Sequence, residues 1–389
     1  MEVKQIYEIM NSITSEMLGD ETLVKEDLSN IVELGQQFES VVGLDNYVRK
    51  LPDHVGRCVF VNRKYQGRAP RVLMDGWEFG SILEKIAARI PEAVENEDWQ
   101  LQDQTSYDPN VFHSPDVFGA FWNKRTTFEI DMSITEDQVK SSFSSVTQLN
   151  GFLSMILNAI ETSLTIKLDG LIMRTINNMI GETFYAEVPG GTYTGRTGAK
   201  AVNLLYLYNT AMYGSSTGSY ITVDAAMHTP EFIRFAVYVM KNYIDRIKVA
   251  SNTFNIGGET RFTGAEDLHV VMLSEFKNAA DVYLQSDTFH NEYVALPNAE
   301  SVCFWQGPGT GYAFDNTAEV KITTASGHDV DATGIVGVMF DHDALGVCNQ
   351  ERKVNTHYNE KATFWNYFYK QFAGYFNDTN ENFVVFYLA

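Results

Sequence analysis

The stretch 145-SVTQLNGFLSMILNAIETSLTIKLDGLIMRTINNMIG-181 decides how the chain is read. Its apolar residues include Leu149, Phe152, Leu153, Ile156, Leu157, Ile160, Leu164, Leu168, Leu171, Ile172, Ile176, Met179 and Ile180. Steps of three and four dominate the series, which makes it one stripe of a helix. Ser145 and Gln148 fit a capping box, and Gly181 fits a C-terminal stop. At about 1.5 Å per residue the helix is a rod of roughly 50 Å, where ordinary helices average about 11–12 residues. Its only charged residues are Glu161, Lys167, Asp169 and Arg174. Asn150, Asn158, Thr162, Ser163 and Asn177 make it too polar for a membrane span, while the stripe makes it too apolar for a solvated strut. Such a rod needs cover along its length, from a sheet or from neighbouring chains.

Downstream, Phe184 to Val188 is expected as a strand, followed by a Gly/Thr loop from Pro189 to Gly198 and a helix from Ala199 carrying Val202, Leu205, Leu207 and Tyr208. A helix over Pro230–Lys248 opens with Thr229 as N-cap and Pro at its first position. Leu268–Leu273 reads as a buried strand, with a helix starting at Ser274. Val302–Trp305, Ile335–Phe340, Thr363–Phe376 and Phe383–Leu388 are further strands. Upstream, Phe128, Ile130, Met132 and Ile134 alternate with Thr127, Glu129, Asp131 and Ser133, one dry face and one wet. Residues 100–125 are polar and turn-rich. Trp77, Phe79, Ile82, Leu83, Ile86 and Ile90 have helical spacing up to Pro91, and Val59–Val61 reads as a strand. Ile6, Ile9, Met10, Ile13 and Met17 give residues 1–50 an amphipathic helix on an arm. Strands and helices mix without a βαβ rhythm, which is α+β.

The chain has 389 residues, 44% hydrophobic and 20% charged, enough for a large core. Its formal net charge of −21 argues against adhesion to nucleic acid or anionic lipid. Cys58, Cys303 and Cys348 are odd in number and lack CxxC spacing, which fits free thiols in a reducing compartment. The N-terminus shows no basic region followed by an apolar core, and no apolar run reaches spanning length, so a protein of the cytosol is expected.

Chemistry has few candidates. Gly190 to Lys200 follows a strand and opens a helix, but Ala199 separates Gly198 from Lys200 and Ala201 stands where a phosphate loop needs Ser or Thr. Gly307-Pro308-Gly309-Thr310-Gly311 leads into no helix and reads as a turn. Asp341-His342-Asp343 are adjacent on an extended chain and point to opposite faces, a poor arrangement for one ion; Asp329 and Asp331 beside His328 are as weak. No catalytic, cofactor-binding or metal residues are therefore assigned. The one basic concentration is Arg57, Arg63, Lys64, Arg68 and Arg71, and an acidic run follows at Glu92, Glu95, Glu97 and Asp98. These are candidate contacts between subunits, where charge sets register and partner choice more than affinity.

The chain resembles the major capsid proteins of tailed bacteriophages with the HK-97-type fold, above all those of small short-tailed phages (podoviruses) of Gram-positive hosts. The resemblance is carried, in matching order, by Pro109–Val111, Trp122–Ile134, Phe143–Ile160, Thr197–Ala199, Glu266–Val271, Val336–Asp343 and Trp365–Tyr367. It implies an HK-97-like fold with residues 1–51 as an N-terminal arm and 52–134 as an extended loop over a neighbouring subunit. The rest would be a peripheral domain with the long spine helix over 135–200, a mainly axial domain over 201–350, and C-terminal strands over 351–389 returning to the peripheral domain.

The implied protein is a non-enzymatic shell subunit without cofactors. Its partners would be its own copies in hexamers and pentamers, a portal, and scaffolding or minor capsid proteins. The shell would enclose double-stranded DNA without specific binding, touch no membrane, be assembled in the host bacterial cytoplasm and reside in the virion. An encapsulin-like cargo compartment shell is the alternative. On this reading, reversing Arg63, Lys64 and Arg68 to Glu impairs particle assembly, most at low salt where screening is weakest. Sedimentation of the variant across a salt series checks this.

Overall fold

The computed structural model describes residues 67, 69–74, 83–91, 93, 95, 103, 110, 112–135, 146–188, 196–285, 299–306 and 314–389. The arm, the strand at Val59–Val61, the Ser145 cap and the turn at Gly307–Gly311 lie outside these residues. The long helix is α1, Val146–Glu187, of 42 residues. Gly181 does not end it, and Phe184 to Glu187 form its last turn rather than a strand. The glycine has a different cause. A Cβ there would come 2.8 Å from Thr324 Cγ2 and 3.0 Å from Ile322 Cγ2, so it lets another segment approach the helix closely.

That segment is a hairpin of β8 (Val320–Thr323) and β9 (Asp329–Ala332). Polar residues of α1 hold its turn: Asn178 Oδ1 accepts the Ala325 N–H at 2.6 Å, and Glu182 Oε1 the Ser326 N–H at 3.1 Å. The Tyr185 and His328 rings stack 3.5 Å apart. Asn177 Nδ2 donates to the Trp305 carbonyl at 2.9 Å. Asn177, one of the polar residues that spoil α1 as a membrane span, and its neighbours Asn178 and Glu182 thus bind backbone groups of neighbouring segments.

The cover for α1 is a five-stranded sheet in the order β5 (Ala201–Asn203), β13 (Phe383–Tyr387), β10 (Ile335–Asp341), β6 (Leu268–Leu273), β7 (Ala299–Val302). β10 runs antiparallel to both β13 and β6, while the outer pairs β13–β5 and β6–β7 are parallel. Val271, Leu273, Val338, Phe340, Val385 and Tyr387 share one core with Leu171, Ile172, Ile176, Met179, Ile180 and Phe184 of α1. Val270, Met272, Met339, Val384 and Phe386 share a second core with α2 (Leu204–Tyr213), α4 (Pro230–Ile247) and α5 (Ser274–Gln285). Between α2 and α4 lies the short α3 (Val223–Ala226), and α6 is Phe314–Thr317. Burial on both faces explains why these strands read as unbroken apolar runs.

Other boundaries differ from the expectations. The helix expected from Ala199 begins at Leu204, because the Glu187 carboxylate accepts the N–H groups of Lys200 (2.8 Å) and Ala201 (2.7 Å) and Ala201–Asn203 pair with β13. Asn203 then caps α2 through the Tyr206 N–H. The strand expected over Val302–Trp305 stops at Val302. Thr229 precedes α4 as expected, but its hydroxyl donates back to the Ala225 carbonyl at 2.7 Å. β11 (Leu345–Asn359) was not foreseen; its distal half is polar and exposed, without the alternation that marks a half-buried strand.

A second sheet has the order β1 (Leu73–Met74), β11, β12 (Phe364–Asn377), β4 (Arg125–Thr135). Only β11 and β12 of the C-terminal strands run in it; β13 joins the strands of 201–350. The described chain falls into two compact units, 129–165 with 352–370, and 67–128 with 166–351 and 371–389. The first is tied internally by Arg352 to Glu161 (3.2 Å), Lys370 to Glu129 (3.1 Å) and the Tyr358–Trp365 ring contact at 4.6 Å.

Gly181→Ala is expected to destabilise the fold by about 1–3 kcal/mol, since Thr324 and Ile322 must move. Gly170→Ala on the same helix has open space around the new methyl and is expected to be neutral or stabilising by up to about 1 kcal/mol. Denaturant midpoints of the two variants check this.

Candidate assembly surface

Residues expected as a helix and a polar loop form a two-stranded hairpin instead. β2 (Leu83–Ala88) pairs antiparallel with β3 (Val117–Trp122), with Ile86 opposite Gly119 and Glu84 opposite Phe121. The sequence LEKIAA favours a helix locally, and cross-strand pairing and packing override that preference. Alternation divides the hairpin into two faces. Leu83, Lys85, Ala87, Phe118, Ala120 and Trp122 are half-buried against the chain itself. Glu84, Ile86, Ala88, Val117, Gly119 and Phe121 face outward.

The outward face is unusually apolar. Ile86 and Phe121 are each 65% exposed and Val117 is 51% exposed. The Phe121 ring lies over Gly119, where an added Cβ would sit 3.7 Å from it. Covering a Val, Ile or Phe side chain fully is worth about 1.5–3 kcal/mol, so this face gains substantially from a second surface. Phe112 and Ile90 are exposed as well, at 86% and 54%.

On the inward face Lys85 is the anchor. Its Nζ donates to Glu381 Oε1 at 2.7 Å and Asp378 Oδ2 at 3.0 Å. Asp378 is itself fixed, accepting the Asn380 N–H at 3.0 Å. Burial pulls the Lys85 ammonium down, but the Glu381 and Asp378 carboxylates outweigh it and leave its pKa raised above 10.5. Trp122 Nε1 donates to the Asn377 carbonyl at 3.1 Å, and its ring meets Phe376 at 5.3 Å. The sequence showed no pairing of Lys85 with Asp378 and Glu381, which are about 290 residues away. The short apolar and aromatic run Val117–Trp122, between Pro115 and Asn123, was the one available signal.

The charged residues expected at subunit contacts are placed only in part. Arg71 is exposed, its backbone N–H donating to Glu300 Oε2 at 2.8 Å and its Nε lying 3.7 Å from Glu300 Oε1. Its partner is therefore in its own chain. Glu95 is exposed. Arg57, Arg63, Lys64, Arg68, Glu92, Glu97 and Asp98 lie outside the described residues.

The other candidates are tied into the fold. Asp341 accepts from Thr263 Oγ1 at 2.7 Å and from the Asp343 N–H at 2.9 Å, and His342 Nδ1 lies 3.1 Å from His269 Nε2. Asp329 accepts from Thr323 Oγ1 at 2.6 Å, and Asp331 meets Lys321 at 3.4 Å. Where the Gly-rich loop ends, Glu187 already takes the N–H groups of Lys200 and Ala201. Among the described residues no group of three or more His, Cys, Asp or Glu is placed to hold a metal ion. Cys303 and Cys348 are free thiols, the first exposed and the second buried. No described helix is long and apolar enough to cross a membrane.

The mixed architecture, with its long helix against a doubly covered sheet, is that of phage capsid subunits. The chain is similar in fold to a chain in the capsid structure of Staphylococcus phage Andhra, at 9% identity and a TM-score of 0.53, covering 86% of this chain and 87% of that one. Weaker likenesses are to a chain in a structure of the head fibre and inner core protein of bacteriophage P68 (8% identity, TM-score 0.47, 85% and 88% covered) and to one in the capsid of cyanophage P-SCSP1u (10%, 0.46, 87% and 94%). No curated protein matches. The model of one family, the Phi29-like phage major capsid protein, matches residues 10–387. The chain belongs to that family and is a bacteriophage head shell protein. A cargo-compartment shell is not favoured.

Lys85→Met is expected to cost about 1–3 kcal/mol by taking the charged donor from Asp378 Oδ2 and leaving Glu381 with Arg261 alone. A raised lysine pKa stabilises the fold fully below the unfolded value of 10.5 and loses that contribution as pH rises through the higher folded value. The stability difference between parent and variant should therefore be flat from about neutral pH to about pH 10, shrink above it, and shrink in acid as Glu381, whose burial raises its pKa, takes up a proton. Denaturant titrations across that range test both size and sign.

Proposed function

We propose that copies of this chain meet as hexamers and pentamers and close into the icosahedral head of a tailed, short-tailed phage around its double-stranded DNA. The fold is of HK-97 type in this reading. Residues 1–51 serve as an arm and 52–134 as an extended loop across a neighbour. Residues 135–200 carry the peripheral domain with its spine, 201–350 mainly the axial domain, and 351–389 the closing strands. A portal, and scaffolding or minor capsid proteins, are the further partners, and assembly takes place in the host cytoplasm.

The observation that carries the reading is the outward face of β2–β3, where Ile86, Val117 and Phe121 stand exposed on a hairpin fastened to its own subunit by the opposite face. An isolated two-stranded sheet is marginal in water, and an exposed apolar face on one is a contact surface. A second copy is the natural occupant, because a closed symmetric shell offers every subunit the same contact. The Arg63, Lys64 and Arg68 cluster and the Glu92, Glu95, Glu97 and Asp98 run would set register between copies, with Arg71 already engaged by Glu300 of its own chain. The charge of −21 suits a container whose wall does not adhere to the packaged genome.

Electron microscopy of the purified protein should show closed particles of uniform size, with nuclease-protected DNA in those taken from infected cells. Ile86→Asp combined with Phe121→Asp should leave the subunit folded by circular dichroism and prevent closure. Normal shells from that double variant would overturn the assignment of the contact face.

A further inference from the structure

The distal end of the hairpin rests on the loop that follows α4. The Arg89 N–H donates to the Asp116 carbonyl at 2.9 Å, extending the strand pairing one step past Ala88 and Val117. The Arg89 guanidinium straddles Glu259, with Nε 3.1 and 3.2 Å from the two carboxylate oxygens and Nη2 2.9 Å from Oε1; Nη1 donates to Asp116 Oδ2 at 2.9 Å. Two cations lie over the Phe118 ring, with Arg89 Cζ 5.6 Å and Arg261 Cζ 5.4 Å from its centre. Arg261 Nε is 3.3 Å from Glu381 Oε1, the oxygen that also accepts from Lys85.

The receiving loop is built to hold Glu259 still. Asn255, 1% exposed, donates from Nδ2 to the Glu259 carbonyl at 2.6 Å and accepts the Glu259 N–H at 3.0 Å. Gly258 takes φ +76° beside it, a conformation that favours glycine. Ser251 and Arg261 exchange N–H···O bonds of 3.0 and 2.9 Å that close the loop. A multidentate arginine–carboxylate contact fixes direction as well as distance, which a lysine or a greasy contact would not.

We infer that Arg89, Glu259, Arg261 and Phe118 form a clasp that fixes the angle at which the hairpin stands on its own subunit, and so positions the face offered to the next copy. Arg89 and Phe118 belong to the hairpin, Glu259 and Arg261 to the loop. The clasp is a property of the single subunit. Its consequence for shell closure rests on the assembly reading above.

Hydrogen exchange on the full purified chain tests the clasp. Arg89→Glu places three carboxylates together and should speed exchange of the amides of 83–89 and 117–122 about tenfold, leaving β6, β10 and β13 unchanged. Adding Glu259→Arg restores an ion pair of opposite sense and should slow those amides back towards the parent. Phe118→Leu, which changes no charge, should also speed them. Hairpin exchange equal to the parent in Arg89→Glu, or no slower in the double variant than in the single one, overturns the clasp. Electron microscopy of the same variants reads the positioning role. Misclosed or missing shells in Arg89→Glu, recovered by Glu259→Arg, are expected; normal shells together with faster hairpin exchange overturn it.

Discussion

The fold depends on one constraint: a central sheet that must be dry on both sides. β6, β10 and β13 carry apolar residues at nearly every position because α1 covers one face and α2, α4 and α5 the other. Nothing in such a sheet tolerates a one-residue slip, since that would exchange the contents of two cores packed at solid-like density. The long helix serves this arrangement. Leu171 to Phe184 supply the cover, while Asn177, Asn178 and Glu182 bind backbone groups of the segments alongside.

The outlying hairpin obeys a different rule. β2 and β3 bury little of their own, so charge-assisted hydrogen bonds from Lys85 and Arg89 attach them. Polar contacts of this kind are directional, and partly hydrated ones are individually weak. A capsid subunit gains from that combination. In the assembly proposed above, the hairpin's exposed apolar side is the one offered to another copy. In a family of shell proteins the surface that matters is thus the one the isolated chain leaves uncovered.

The charge of the chain fits the same division. The chain sets 29 Lys and Arg against 50 Asp and Glu, and the cations of the described hairpin and its loop, Lys85, Arg89 and Arg261, all engage carboxylates of their own chain. Arg71 does the same with Glu300. These four basic residues act in internal joints. Asp341-His342-Asp343, which resembles a ligand set on paper, is likewise drawn into bonds with Thr263, His269 and its own turn.

By itself the sequence determined the elements whose signal is periodic and local. The helical spacing of α1, the alternation in β4, the apolar runs of β6, β10 and β13, and the proline start of α4 were all legible, because side-chain spacing reports local conformation. The single apolar stripe expected of α1 did not hold, since residues 175–184 are buried on every side and Leu157 is 51% exposed. Tertiary structure alone decided three things. It carried α1 through Gly181, since the glycine answers to Ile322 and Thr324 rather than to its neighbours in sequence. It turned Leu83–Ala88 from a good helix former into a strand, since β3 and the body of the subunit offered more than local propensity could. And it paired Lys85 with Asp378 and Glu381, because an ion pair is fixed by proximity in space, which separation along the chain does not encode.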